Sequence, residues 1–308
     1  MTDRLRVLVN VIAPLVLLSS SCALAGESAE FLPGQQAGIV RSVLIREASG
    51  LVASRQNPGV LWVHNDSGGG AKVFAIDTKG DLLGACTVRG AAIRDWEDIA
   101  IGPGPDPNQQ CLYIGDIGDN QAKRPEVVVY RVAEPKVDAA TAFGTMTIGP
   151  AEAIRLAYPD GPRDAETLLV DPLTRDIYII SKRELPSKVY RAGFPQPLVG
   201  RTRMEAVTTL PWGFAVAGDV SPDGREVIVR GVFNAALWTR PAGEPLWHAF
   251  SGKQTRLPLA HEPQGEAICF DGKGRGYFTI SEGVQPPLYY FPRARAGTPK
   301  EPAPDERQ

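Results

Sequence analysis

The sequence predicts an all-β chain folded as a five-bladed β-propeller, its ring closed by an N-terminal strand. Three observations carry this. First, a short phrase recurs: Glu47-Ala48-Ser49-Gly50-Leu51, Asp95-Trp96-Glu97-Asp98-Ile99 and Asp164-Ala165-Glu166-Thr167-Leu168, then the weaker Val216-Ala217-Gly218-Asp219-Val220 and Gln264-Gly265-Glu266-Ala267-Ile268. Second, each phrase leads into an apolar run that ends on a polar residue (Asn65, Asp116, Lys182, Arg230 or Glu282) and then into a Val or Leu beside an aromatic, as in Val73-Phe74 and Val189-Tyr190. Third, the spacing repeats: the step is 16 residues from Ser49 to Asn65, from Glu166 to Lys182 and from Glu266 to Glu282. A fixed order of strands at a period of about 50 residues is the mark of a propeller.

The elements follow in chain order. Arg4 and Arg6 precede an apolar run, Val7 to Leu18, and a small-residue stretch ending in Ala23-Leu24-Ala25. That is the layout of a secretory signal over residues 1–25, cleaved after Ala25, and it predicts a periplasmic or secreted protein. The rival reading, a lipoprotein cysteine at Cys22, has Ser19 where a Leu is usual. The apolar run is too short to span a membrane. Residues 26–292 read as one propeller domain. Unit one supplies strands at Ser49–Ser54, Val60–Asn65, Lys72–Ile76 and Leu82–Val88. Unit two, lengthened by a Gly/Pro insert, supplies Asp98–Ile101, Cys111–Gly115, Val127–Val132 and Ala151–Ala157. Units three and four repeat the plan, the fourth with a tight Pro222-Asp223-Gly224 turn. Unit five has three strands, and Gly38–Leu44 is available as its fourth, which removes an open sheet edge. Six blades is the alternative, if the long second unit hides a split blade. The tail 293–308, rich in Pro, Lys and Glu, reads as disordered.

Composition agrees. The 308 residues are 43% hydrophobic and 22% charged, ordinary for a globular chain. The net charge of -2, with no Lys/Arg stripe, excludes a nucleic-acid binder. The 32 Gly and 27 Pro suit many short strands joined by turns. Export permits disulfides. A Cys86–Cys111 bridge between neighbouring blades and a set of reduced, buried cysteines including Cys269 are both open.

The chemistry gathers on one face. In a propeller the innermost strand runs away from one face and the second returns to it, so strand-one starts and strand-two ends surround a channel mouth. This collects Glu47 with Asn65 and Asp66, and Asp95, Glu97 and Asp98 with Asp116, Asp119 and Asn120. It also collects Asp164 and Glu166 with Lys182 and Arg183, Asp219 with Arg230 and Asn234, and Glu262, Gln264 and Glu266 with Glu282. Like charges so crowded need a cation, internal pairing or raised pKa values. Calcium, served by carboxylate and amide oxygens, is one solution. Pairing of Lys182 with Glu166 and Arg230 with Asp219 is another, and a carboxylate pair tuned apart for acid/base work, as in a glycosidase, is a third. Gly115-Asp116-Ile117-Gly118-Asp119-Asn120 is the best single metal segment, although its spacing is not that of an EF-hand. The bland reading assigns Glu97, Glu166 and Glu266 to backbone amides of the next blade. His64, beside Asn65, is either a general base or a hydrogen-bonded structural residue. No zinc-type His/Cys spacing and no G-x-S-x-G elbow occurs.

His64-Asn65-Asp66-Ser67-Gly68, Asp95-Trp96-Glu97-Asp98-Ile99-Ala100 and Gly115-Asp116-Ile117-Gly118-Asp119-Asn120 resemble a family of exported bacterial β-propellers. More distantly, the chain is similar to β-propeller phytases, esterase-like phytase-related propellers and the gluconolactonase group. The resemblance implies a Ca2+-binding acidic mouth and hydrolysis of a small anionic ester, phosphoester or lactone. On that reading Asp95, Glu97, Asp116, Asp119, Asn120 and Glu166 are metal ligands and His64 or Glu266 is the base. Lys182 and Arg230, with Asn65 and Glu282, face the substrate. The expected partner is a small anionic molecule, or in a non-enzymatic propeller a protein, peptide or cell-wall glycan. No nucleic acid and no transmembrane segment are expected, and the protein is expected to be a monomer.

Overall fold

In the second strand of the first repeat, Trp62 points to one neighbouring sheet while Leu61 and Val63 point to the other. Both faces of such a strand are buried, so its two-residue alternation joins two cores rather than separating core from solvent. The computed structural model describes residues 30–66 and 69–294, and the expected signal segment, residues 1–25, lies outside them.

The chain begins with β1 (Gln35–Ile39). Blade one then holds β2 (Ala48–Ala53), β3 (Val60–Asn65), β4 (Lys72–Asp77) and β5 (Leu82–Val88). Blade two holds β6 (Trp96–Pro103), β7 (Gln110–Asp116), β8 (Val127–Ala133) and, after β9 (Gly144–Ile148), β10 (Glu152–Ala157). Blade three holds β11 (Ala165–Val170), β12 (Ile177–Ser181), β13 (Lys188–Ala192) and, after β14 (Thr202–Arg203), β15 (Glu205–Thr209). Blade four holds β16 (Ala215–Val220), β17 (Glu226–Gly231), β18 (Ala235–Thr239) and, beyond a 3-10 turn, β19 (Thr255–Arg256). Blade five holds β20 (Gly265–Phe270), β21 (Gly276–Ser281) and β22 (Pro287–Pro292), completed by β1. The five sheets settle the blade number at five. No helix among the described residues is long and apolar enough to cross a membrane.

Two strands go to a neighbour. β9 leaves blade two's chain segment to pair in parallel with β5, and β14 leaves blade three's to pair in parallel with β10. Each exchange clips a blade to the one before it. The closing strand lies a little upstream of the expected Gly38–Leu44: Gln35 faces Tyr290 and Ile39 faces Pro287. After Val40 the chain must climb to the start of β2, and the amide of Ile45 closes a turn on Ser42 O at 3.3 Å. Order also continues past the expected domain end. Arg293 pairs with Phe31, and its guanidinium holds Glu30 at 2.6 Å and Glu226 at 2.5 Å. The remaining tail, from 295 on, lies outside the described residues.

Five apolar cores fill the gaps between blades. Cys86 lies in the core between blades one and two, and Cys111 in the core between blades two and three. The sheet of blade two stands between them, so the Cys86–Cys111 bridge does not form, and Cys86, Cys111 and Cys269 are free thiols. The channel is stapled by two buried carboxylates. Asp98 accepts the amides of Ile99 and Leu168 at 2.9 Å and of Gly218 at 3.3 Å, tying blade two to blades three and four. Asp219 accepts the amides of Val220 at 2.8 Å and Phe270 at 2.9 Å, tying blade four to blade five. The amide-binding role open for Glu97, Glu166 and Glu266 therefore belongs to Asp98 and Asp219.

Replacing Asp98 with Ala strands buried amides on two neighbouring blades. Because each lost partner costs on the order of 1–3 kcal/mol, Asp98→Ala is expected to lower the unfolding free energy by about 3 kcal/mol or more in urea titrations.

Candidate functional site

Every inner strand slips register by one residue at the same place. The shift falls between Ala48 and Gly50, Trp96 and Asp98, Ala165 and Thr167, Ala215 and Ala217, and Gly265 and Ala267. The residue left out of the ladder is Ser49, Glu97, Glu166, Val216 or Glu266. A bulge of this kind re-aims its side chain. Blades two, three and five thus carry Glu at the bulge, and in blades two and three an Asp stands two residues earlier, giving Asp95-x-Glu97 and Asp164-x-Glu166.

These carboxylates converge. Asp66, Asp95 and Glu97 form one group, and Glu97, Asp164 and Glu166 another, each with one oxygen per residue within 4.8 Å of the others. Glu97 belongs to both. Oxygens on opposite sides of a calcium ion lie about 5 Å apart, so the spacing suits that cation and its all-oxygen preference. Gly118 shapes the same space. A Cβ there would stand 2.1 Å from Glu97 Oε1 and 2.5 Å from Asp95 Oδ2. Only glycine leaves these two carboxylates their present positions.

Other residues fix the frame. Lys182 Nζ is ion-paired with Glu166 Oε2, and Arg183 Nε holds Asp164 Oδ2 at 2.6 Å. Asp164 Oδ1 accepts the amide of Asp119 at 2.9 Å. Asp119 in turn accepts the amide of Arg124 at 2.6 Å, and Asp116 pairs with the Arg124 guanidinium at 2.7 Å. Asn120 Oδ1 accepts from Arg183. Asp116, Asp119 and Asn120 therefore build the loop over the acidic groups and do not join them. Beside this loop a cavity of about 280 Å3 is lined by Arg94, Asp95, Asn120 and Lys123.

Five further expected site residues resolve differently from one another. Arg230 is 2% exposed and paired with Glu262 at 2.6 Å. It runs under Gly265, where a Cβ would sit 1.4 Å from its Nη2, and it is not at the mouth surface to clamp an anion. Asn65 is consumed by backbone: it accepts from the amides of Arg46 and Glu47 and donates to Leu44 O at 2.9 Å. His64 is wholly buried, edge-on to Trp96, with Nδ1 3.0 Å from Asn65 O. Burial lowers its pKa to about 4, so it is a neutral wedge below the mouth and not a base within reach of substrate. Glu266 and Glu282 do reach the mouth, Glu282 accepting from Gln264 Nε2 at 3.2 Å.

Burial and mutual repulsion push these acids up. Glu97 is raised most clearly, by burial and by Glu166, Asp66, Asp95 and Asp164. Glu166 is raised by burial against the pull of Lys182. Asp66 rises to about 6 and Glu282 to about 7, in each case chiefly by burial and then by neighbouring acids. Asp95 and Glu266 rise too, both chiefly by burial. Lys182 is held protonated: burial lowers its pKa, but Glu166, Glu266 and Glu97 outweigh this.

Asp95, Glu97 and Glu166, singled out in the sequence as candidate ligands, all fall in the two carboxylate groups, together with Asp66 and Asp164, which were gathered at the mouth but not counted among those candidates. The repeated Asp-x-Glu at the bulge was the signal for Asp164. Asp66 follows the end of β3, and the rule that strand-two ends surround the mouth is the signal that gathers it there.

No family model and no curated protein matches the chain. Among solved structures the chain is similar to the hydrazine synthase of Kuenenia stuttgartiensis, at 14% identity and a TM-score of 0.38, covering 79% of this chain and 78% of that one. Likeness at that level carries no argument. The sheets themselves establish the class: this is a five-bladed β-propeller whose described residues place a carboxylate cluster at the channel mouth.

A pH dependence follows. Carboxyls raised in the fold keep protons that the unfolded chain has lost, so in chelator the native state is destabilised as pH climbs above the ordinary carboxylate range near 4.5. The loss continues through about 6 for Asp66 and about 7 for Glu282. Tm in chelator is expected to fall between pH 5 and pH 8, and Glu97→Gln is expected to flatten that fall.

Proposed function

We propose that this protein is an exported propeller that binds Ca2+ at its acidic mouth and hydrolyses a small anionic ester, phosphoester or lactone there. The single observation behind the proposal is Glu97, projected by a bulge into two carboxylate groups at once. Without a cation this arrangement keeps several like charges together in a poorly hydrated funnel. A hard divalent cation relieves that cost. The motif resemblance to calcium-dependent phytase-like and gluconolactonase-like propellers supports the same reading, and the signal layout of residues 1–25 supports export.

Asp66, Asp95, Glu97, Asp164 and Glu166 would hold the ion, which would polarise a substrate oxygen and stabilise developing negative charge. Arg94 and Lys123 flank the adjoining cavity and receive the substrate's anionic group. Arg183, fixed on Asp164 and Asn120, orients the wall between them. Glu266 belongs to neither carboxylate group, and burial raises its pKa. That suits it to take a proton from the attacking water.

Calcium at about a hundredfold over its Kd is expected to stabilise the native state by about 2.7 kcal/mol, or roughly 5–10 °C in Tm. Melts in chelator and across a calcium titration read this directly, and Glu97→Gln should abolish the shift. A superimposable pair of melts with and without calcium rejects the metal. On whichever ester, phosphoester or lactone a screen identifies, Glu266→Gln should lower kcat by about 100-fold or more while leaving the calcium shift intact. An Arg94→Ala/Lys123→Ala variant should raise KM instead.

One observation favours the non-enzymatic reading as a second. Leu185, Phe214, Phe233 and Val284 are exposed on loops of the mouth face, in blades three, four and five. Clustered exposed apolar residues mark interaction surfaces. If this crescent receives a protein or peptide, calcium will still raise Tm, but Glu266→Gln will leave the measured function unchanged and Phe233→Ser will abolish it.

A further inference from the structure

At the end of the ring opposite the acidic mouth, a second cavity of about 640 Å3 opens between blades five and one. Volumes of 300–1,000 Å3 are those of small-molecule sites. Its apolar wall comes from Ala37 of β1, Val60 and Leu61 of β3, Phe278 of β21 and Tyr290 of β22, the last two rings 4.7 Å apart. The two rings are tilted 41° to each other, and an aromatic face of this kind accepts a flat ligand body.

The polar lining is cationic. Arg55, Lys273 and Arg275 face the cavity, against one carboxylate, Asp271. That carboxylate is committed to its own turn. Asp271 Oδ1 accepts the amides of Lys273 at 2.8 Å and Arg275 at 3.0 Å, and Oδ2 accepts the Tyr290 hydroxyl at 2.7 Å. Lys273 and Arg275 are exposed and join no ion pair among the described residues. Arg55 is rigid at the inner end, donating to Val220 O at 3.2 Å, with Asp219 Oδ1 4.0 Å away. A chain of net charge -2 thus concentrates positive charge on a concave apolar wall far from its acidic mouth.

We propose that this cavity is a binding site for a small organic anion, a phosphate or carboxylate carried on a flat, largely apolar body. The head group sits between Lys273 and Arg275 and the body lies against Phe278 and Tyr290. The site is separate from the calcium chemistry proposed for the mouth and does not depend on it.

Isothermal titration of phenyl phosphate into the whole protein, in chelator, tests this. Saturable binding is expected at concentrations below about 10 mM, with benzyl alcohol much weaker because it lacks the charge. Lys273→Ala/Arg275→Ala, altering exposed side chains only, is expected to weaken binding about tenfold or more. Thr78→Trp, which fills the cavity rim, is expected to abolish it and serves if the double variant does not fold. Glu97→Gln should leave it unchanged. No binding in that range overturns the proposal. So does binding of equal strength in the double variant or in Thr78→Trp, and so does binding lost in Glu97→Gln, which would place the ligand at the mouth.

Discussion

The one-residue slip at the head of each inner strand is the constraint on which the mouth depends. Without it, the residues at Ser49, Glu97, Glu166, Val216 and Glu266 would alternate into the inter-blade cores, where an ionised carboxylate is costly. With it, they leave the ladder and surround the channel. The fold thus moves acids out of its apolar gaps and into its centre by a single repeated backbone device. The bulge itself recurs in all five blades, including blades one and four, where the bulged residues are Ser49 and Val216 and no acid is carried. The bulge is therefore a property of the architecture, and the chemistry is set by what each unit places on it.

Two sets of carboxylates share this channel and do different work. Asp98 and Asp219 lie deeper, each saturated by backbone amides of neighbouring strands, and they hold the ring together. Asp66, Asp95 and Glu97 lie above them, short of donors and close to one another, beside Asp164 and Glu166. The difference is hydrogen bonding. Amides of neighbouring strands lower the pKa values of Asp98 and Asp219 against a larger upward push from burial, whereas the acids above them raise one another further. Lys182 on Glu166 and Arg183 on Asp164 neutralise one side of the cluster and leave Asp66, Asp95 and Glu97 as the side that calls for a cation.

Much of this was legible in the sequence because a repeat reports position. The phrase around Glu47, Asp95 and Asp164 fixed the strand order, the five units and the face on which the polar residues fall. Three things were not legible. The exchanged strands β9 and β14 have no counterpart in the other units, so the period cannot announce them. The segment Gly115–Asn120 is rich in oxygen donors over a short span, yet Arg124 claims Asp116 and Asp119. A guanidinium folding back from a loop leaves no mark in local spacing. Arg230 ends its strand as Lys182 does, but Gly265 opens a path beneath the surface to Glu262, and only the packed structure shows that path.

The proposed cation site in the upper cluster fills with calcium, and its acids give up protons as it does. Calorimetric titration of calcium into chelator-stripped protein near pH 6, repeated in buffers of different ionisation enthalpy, reads both parts in one measurement. Saturable binding with net proton release is expected, stronger at higher pH, with both lost in Glu97→Gln. Binding without proton release, or no saturable heat from a protein that is folded and monodisperse, would contradict it.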